Sequence, residues 1–226
     1  MRKKERVIIS VGGSIVVPET PDAKFLKGLR KLIKSYSNKF RFVLIIGGGK
    51  TCRHYHKAAK GVINMKDIDL DWLGIHTTWL NAYLVKTIFK DIAYKDVIIN
   101  PTKKINFDKV AVAGGWRPGC STDYDAVLLA RNVGAKTVIN MTNVDYLHDK
   151  DPRKYKTAKK IENISWKGFR KIVGDKWNPG MNAPFDPIAS KMAQRLDMRL
   201  VLLGNKLDNL KKYLDGKKFK GSVVEG

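Results

Sequence analysis

The stretch from Gly114 to Asp123, GGWRPGCSTD, gathers backbone amides, two hydroxyls and a carboxylate between the apolar run Val110 to Ala113 and the helix-like DYDAVLLARNV. Two further glycine clusters also follow apolar runs: Gly12-Gly13-Ser14 after VIISV, and Gly47-Gly48-Gly49-Lys50 after RFVLII. Glycine lets a backbone approach a phosphate closely, and a helix N-terminus behind it offers free N–H groups and positive dipole. Three such loops at strand ends point to one phosphate-handling crevice. Each cluster alone reads equally well as an ordinary tight turn, because short glycine motifs recur by chance.

The elements that must carry these loops follow from periodicity. Residues 6–11 and 41–46 read as buried strands, and 22–37 as an amphipathic helix with Phe25, Leu29, Leu32, Ile33 and Tyr36 on one face. A helix is predicted from the triple glycine to about residue 60, and a longer one over 67–89. Strand patterns recur at 96–100, 108–113, 136–141 and 199–203, with helices over 186–196 and 206–214. Fully apolar strands alternating with helices imply a largely parallel sheet covered on both faces. Such sheets bind ligands at the carboxyl ends of their strands, where the glycine loops fall. Residues 146–185 are the least regular, broken by Pro152, Pro179, Gly180 and Pro184, and read as a nucleotide-covering flap or an insertion. Trp166 and Trp177 there read as packing anchors. The expectation is one domain over 1–226.

With 226 residues and 43% apolar content the chain suits a single globular α/β core. No run approaches the roughly 20 apolar residues that span a bilayer, and the N-terminus runs straight into a strand, so neither a membrane span nor a signal peptide is expected. Cys52 and Cys120 lack CxxC spacing, which fits a reducing cytoplasm without disulfides or a zinc site. The sequons at Asn140 and Asn163 are then chance matches. Forty-four Lys and Arg against 21 Asp and Glu give a formal charge of +23, and polyanions are the obvious partners. The lysines are nonetheless spread over solvated helix faces, as in KFLKGLRKLIKSY, and no stacking platform or groove-reading helix is identifiable. A generally basic surface is favoured over specific nucleic-acid binding.

Six stretches in order carry a more specific signal: VGGSIVVPETPD, GGGKTCRHY, DWLGIHTTWLNA, PGCSTDYDAVLLA, TNVDYLHDKDPRK and DPIASKMA. On these the chain resembles the amino acid kinase superfamily, and within it the archaeal-type uridylate (UMP) kinases, over nearly its whole length. The resemblance implies an open three-layer α/β/α fold, transfer of the ATP γ-phosphoryl group to UMP with Mg2+, and a homo-oligomer, usually a hexamer. Gly12, Gly13 and Ser14 are similar to the family's loop beneath the ATP phosphates. Gly48 and Gly49 sit where the family holds the acceptor phosphate. Arg53, four positions beyond Gly49, lies about one helical turn away and can fork onto that phosphate; its alternative is a surface arginine. Asp71 matches the carboxylate that accepts the UMP ribose hydroxyls, although it or Asp69 could equally cap a helix. Gly74 would let the nucleotide lie against the helix, with Thr78 one turn on. Ser121 and Thr122 would donate to UMP and Asp123 would orient the transfer site, beside a capping role. Thr142, Asn143, Asp145 and Asp151 would surround adenine and ribose, Asp151 being also a candidate turn residue.

The chain departs from the family in places. Many members carry a lysine two residues before the first Gly-Gly, where this chain has Ser10, so the catalytic cation must come from elsewhere. Lys50 and Lys191 are the candidates. Tyr146 replaces a family glycine near the adenine pocket, Trp79 stands where relatives often carry arginine, and Trp116 and Arg117 enlarge the acceptor loop. Two alternatives follow: a kinase of the same fold for another small phosphate or carboxylate acceptor, and a non-catalytic molybdate or tungstate storage protein using His54, His56 and His76. Against the latter, histidines two apart on a helix face different directions.

Overall fold

The computed structural model describes residues 4–152, 154–176 and 183–226. In the first half, strand β1 (Glu5–Val11) leads through a short helix α1 (Gly13–Val16) and α2 (Ala23–Tyr36) to β2 (Phe40–Ile46). Helices α3 (Gly49–Lys60) and α4 (Asp67–Ile88) precede β3 (Ala93–Ile98) and β4 (Val110–Ala113). Then come α5 (Thr122–Val133), β5 (Thr137–Met141), the short strands β6 (Leu147–His148), β7 (Lys160–Ile161) and β8 (Asn163–Ile164), and α6 (Trp166–Val173). The chain closes with α7 (Pro187–Arg195), β9 (Arg199–Leu203), α8 (Leu207–Leu214) and β10 (Gly221–Val224).

Eight strands form one sheet in the order β3-β4-β2-β1-β5-β9-β10-β8. It is parallel except that β10 runs antiparallel to β9, taking β8 with it. Alternation along each strand divides the core between two faces. Val7, Ile9 and Val11 join Leu29, Ile33, Val85 and Leu210 in one cluster, under α2, α4 and α8. Ile8, Val43, Ile45 and Val138 join Val127, Phe169 and Ala189 in the other, under α5, α6 and α7. The three-layer α/β/α architecture is thus a consequence of period-two burial in strands covered on both sides. Each fully buried Ile, Leu or Val contributes roughly 1.5–3 kcal/mol.

Local signals fix the helix ends. Asp22 caps α2 by accepting from the Phe25 N–H at 2.8 Å, and Ser121 caps α5 through Tyr124 N at 3.1 Å. Asp186 caps α7 through Ile188 and Ala189, with Pro187 in the first helical position. Gly134 ends α5 in the left-handed region, φ 70°.

The segment 146–185 is more regular than its prolines implied. It holds the β6–β7 ribbon, the edge strand β8 and α6, whose Trp166 is 1% exposed and donates its indole N–H to the Met198 carbonyl. Trp166 is therefore a packing anchor, as expected; Trp177, Pro179 and Gly180 lie outside the described residues.

Candidate active site

Register brings the glycine loops together. Val11 pairs with Ile46 on one side and with Met141 on the other, so β1, β2 and β5 end at one level. Gly12 N donates to the Met141 carbonyl at 3.0 Å and Gly47 N to the Val11 carbonyl at 3.1 Å. The chain leaves β1 towards β2 on one flank and returns in β5 on the other, which makes this edge the topological switch point where such sheets bind ligands.

A cavity of about 550 Å3 opens there, within the range of small-molecule sites. Its walls include Ser10, Gly12, Gly13, Ser14, Thr122, Asp123, Asn140, Thr142 and Asn143, and on the far side Tyr146 to Pro152, Ile172, Val173, Ala183 and Pro184. The 146–185 segment thus forms one wall. Tyr146 is part of it, with the Lys160 ammonium 5.0 Å from its ring centre. Asn140 donates to the Pro184 carbonyl at 3.0 Å and ties the 183–186 strand of chain across the cavity.

Of the expected donor-side residues, Gly12, Gly13, Ser14, Thr142, Asn143 and Asp151 line this cavity, and so do Thr122 and Asp123. Asp145 does not: its carboxylate lies over Gly204, where a Cβ would meet Asp145 Oδ1 at 1.9 Å. Neither candidate catalytic lysine lines it. Lys50 Nζ is 2.7 Å from Glu19 Oε1, and that bond holds the exposed Glu19 carboxyl below its ordinary value. Lys191 is exposed on α7, whose buried side carries Ala189, Ser190 and Ala193. Among the described residues, the Lys or Arg that does line the wall is Lys150, 5.4 Å from the Tyr155 ring centre. Sequence reasoning passed over it, although it sits inside the matched stretch TNVDYLHDKDPRK.

The expected acceptor-side residues gather beside the cavity around α3, α4 and the 114–121 loop. Arg53 is exposed and its Nη1 donates to Ser14 Oγ at 3.2 Å, linking this side to the first glycine loop. Asp71 sits in the second turn of α4 and accepts from Gly119 N at 2.8 Å. Neither Asp69 nor Asp71 is a cap, because the helix already starts at Asp67 behind Lys66. Thr78 is buried; its hydroxyl donates to the Ile75 carbonyl and accepts from Gly115 N, so it braces the loop. Trp79 helps, donating its indole N–H to the Gly115 carbonyl at 2.6 Å.

The glycines have a second reason to be glycine. A Cβ on Gly13 would stand 2.0 Å from Gly49 N and 2.6 Å from the Gly47 carbonyl carbon, so the two loops press backbone to backbone. Gly49 also has φ 65°. Gly48 faces Thr77 and Cys52, and Gly74 faces Cys52 and His56 across the α3–α4 contact, so both serve helix packing.

Electrostatically the site centres on carboxylates. Asp123 accepts from Asp186 N at 3.1 Å, and burial pushes its carboxyl up to about 7. Asp125, fully buried, accepts from Trp116 N at 3.0 Å, while its Oδ1 has no partner among the described residues; burial likewise pushes it up to about 7. Asp123 lines the cleft, and a displaced carboxyl in a cleft marks a functional candidate; Asp125 lies buried behind it. Cys52 and Cys120 are free thiols that burial raises further. The histidines do not converge: His56 Nε2 bonds the Leu70 carbonyl, His76 Nδ1 the Trp72 carbonyl, and His54 is exposed. Among the described residues no three His, Cys, Asp or Glu side chains cluster as metal ligands.

Residues 5–204 match the amino acid kinase family. The chain belongs to that family. Among its relatives, the uridylate kinase of Pyrococcus abyssi is 35% identical over 205 residues, covering 89% of this chain and 91% of that one. The uridylate kinase of Thermococcus onnurineus is 34% identical over 225 residues, 97% and 99% of the two chains. The crystal structure of uridylate kinase from Archaeoglobus fulgidus superposes with a TM-score of 0.83 at 29% identity, covering 96% of this chain and 99% of that one. The amino acid kinase fold expected from the six stretches is therefore present.

Proposed function

We propose that this chain is an ATP-dependent UMP kinase that uses Mg2+: a UMP phosphate oxygen attacks the ATP γ-phosphorus, the bond to the β-phosphate oxygen breaks, and ADP and UDP leave. The observation that carries this reading is the full-length similarity to archaeal uridylate kinases, combined with a nucleotide-sized crevice at the β1–β5 switch point. Phosphoryl transfer demands positioning and neutralisation of charge spread over the moving group.

In this reading Gly12, Gly13 and Ser14 cradle the donor phosphates, and Thr142, Asn143 and Asp151 hold the adenosine. Arg53, with the amides of Gly48 and Gly49, takes the UMP phosphate. Asp71, already bonded to Gly119, ties the ribose to the acceptor loop that Ser121 begins to turn into α5. Gly74 and Thr78 act by positioning α3 and that loop. Lys150 supplies the cation that Ser10 lacks, in preference to Lys50 and Lys191. Asp123 and the Thr122 hydroxyl offer hard oxygens on the cavity wall, which fit Mg2+, a cation that takes one or two carboxylates and keeps waters and phosphate oxygens. When bound, Mg2+ offsets the charge on the transferring phosphoryl group.

The same reading includes a single domain, a cytoplasmic enzyme and a homo-oligomer, by family likeness a hexamer. Among the described residues no helix is long and apolar enough to cross a membrane. Ile68, Trp72, Leu80 and Tyr83 recur at helical spacing on α4 and are 53%, 40%, 62% and 55% exposed, an apolar stripe suited to burial between copies. The test is ADP and UDP formation against a panel of monophosphate and carboxylate acceptors. UDP with UMP supports the reading; turnover with another acceptor and none with UMP replaces it with a different kinase of the same fold.

A further inference from the structure

At the opposite end of the sheet from the crevice, two arginines stand side by side. Arg6 and Arg41 are register partners on the parallel strands β1 and β2, which places both side chains on one face. Two residues further along each strand, Ile8 and Val43 lie in the core under α5. Lys136 and Lys109, one position before the paired parts of β5 and β4, continue the row on its two sides. Like charges directly opposite on a sheet repel, so this row calls for a counter-anion.

The protein's own groups only partly provide one. Arg6 donates to the Val133 carbonyl at the C-terminal end of α5, where the helix dipole favours a cation. Arg41 is less well served. Its Nε is buried with no hydrogen-bond partner among the described residues, and the Asp108 carboxylate approaches its Nη2 only to 3.9 Å. Asp108 is 71% exposed and stands 3.8 Å from Lys4 as well, too far from either cation for a hydrogen bond. Between the arginines lies a separate cavity of about 70 Å3, lined further by Asn106, Phe107 and Asn132. With a water occupying about 30 Å3, it has room for a few waters or one small tetrahedral anion, and none for a nucleoside.

We propose that this pocket is a binding site for a phosphate-class oxyanion, seated between the Arg6 and Arg41 guanidiniums and remote from the catalytic crevice. The fork of Arg41 and the Arg6 guanidinium, whose Nη1 already bonds Val133, supply charge-assisted donors of the kind that recognise phosphate oxygens. The anion locks the starts of β1 and β2 to the 101–108 loop and the end of α5. It also accounts for part of the +23 formal charge that the crevice does not absorb.

The proposal does not rest on the kinase reading, and its test is local. Amide exchange in segments 101–108 and 131–136 is measured with increasing inorganic phosphate on the parent, Arg41→Met and Asp108→Asn. The parent slows several-fold in both segments. Arg41→Met needs at least about tenfold more phosphate for the same protection, having lost a charge-assisted fork. Asp108→Asn needs less than the parent, since a competing carboxylate is gone; this variant keeps the test valid should Arg41→Met fold poorly. Inorganic triphosphate run in parallel distinguishes the sources: protection at lower concentration than phosphate marks a seat for the end of a phosphate chain, and equal or weaker protection marks free phosphate. Protection confined to 12–16 and 121–126, the crevice segments, overturns the proposal, as does an Asp108→Asn response no stronger than the parent's.

Discussion

Arg53 reaches Ser14 from α3 and so links the 47–49 loop to the first glycine loop. Its removal leaves the fold intact and takes away a charge-assisted fork, so Arg53→Ala is expected to weaken UMP binding by about 1.5–3 kcal/mol, read by calorimetry; unchanged affinity would move the acceptor phosphate elsewhere. Lys150 lines the cavity wall, and Lys150→Ala is expected to lower kcat by at least about tenfold, roughly 1.4 kcal/mol of barrier, with nucleotide Kd values nearly intact, while Lys191→Ala matches the parent. Single-turnover rates that fall in the second variant and not the first would reverse that assignment. Asp125 makes the pH prediction. Its folded value near 7 lies above the ordinary 3.8, so the folded state holds the proton more tightly than the unfolded chain. Its penalty is absent below about pH 4, grows as pH rises towards 7 and stays constant above, up to a few kcal/mol at about 1.4 per unit. Asp125→Asn should therefore gain stability over the parent between pH 4 and 8 in urea unfolding; parallel curves would contradict the shift. That Ser14 and Asp123 face the cavity was legible in the motifs that carry them; that Lys150 and Asn140 line it too was not, because no spacing marks a wall that only the tertiary fold assembles.

The two glycine loops act as one element, since Gly13 and Gly49 touch through their backbones. A methyl group at Gly13 has backbone for a neighbour and no flexible side chain to displace. Gly13→Ala is expected to cost on the order of 2 kcal/mol or more by overpacking, lowering the melting temperature and the affinity for both nucleotides together. Gly61→Ala, whose nearest atom would be 3.3 Å away at a solvent-exposed helix end, is the control expected to stay close to the parent. The long strands and helices were readable to within a few residues, from β1 to α8, because continuous apolar runs and helical spacing survive any tertiary context. The β6–β7 ribbon, β8 and β10 were not: two-residue strands exist only through their pairing partners, and β10 offers only Val223 and Val224 as an apolar run. Helix α6 was hidden by the prolines around it and by Gly168 inside it, and is held by Trp166 and Phe169 in the core.

Across the whole molecule the active face and the basic base of the sheet lie at opposite strand ends, with α4 presenting its apolar stripe to the side. Trp72→Asp, at the centre of that stripe, is expected to reduce the native mass measured by light scattering while leaving the monomer folded by circular dichroism; an unchanged oligomer would exclude this face as the contact. The three-layer fold unites these features because each strand has one residue parity for each helical layer, and all three glycine loops emerge at one edge. The central claim is that this edge transfers a phosphoryl group to UMP. Purified protein incubated with UMP, ATP and Mg2+ and resolved by anion-exchange chromatography tests it most directly. Equimolar UDP and ADP are expected; ATP and UMP that remain intact under saturating conditions, in protein that turns over another acceptor, would contradict it.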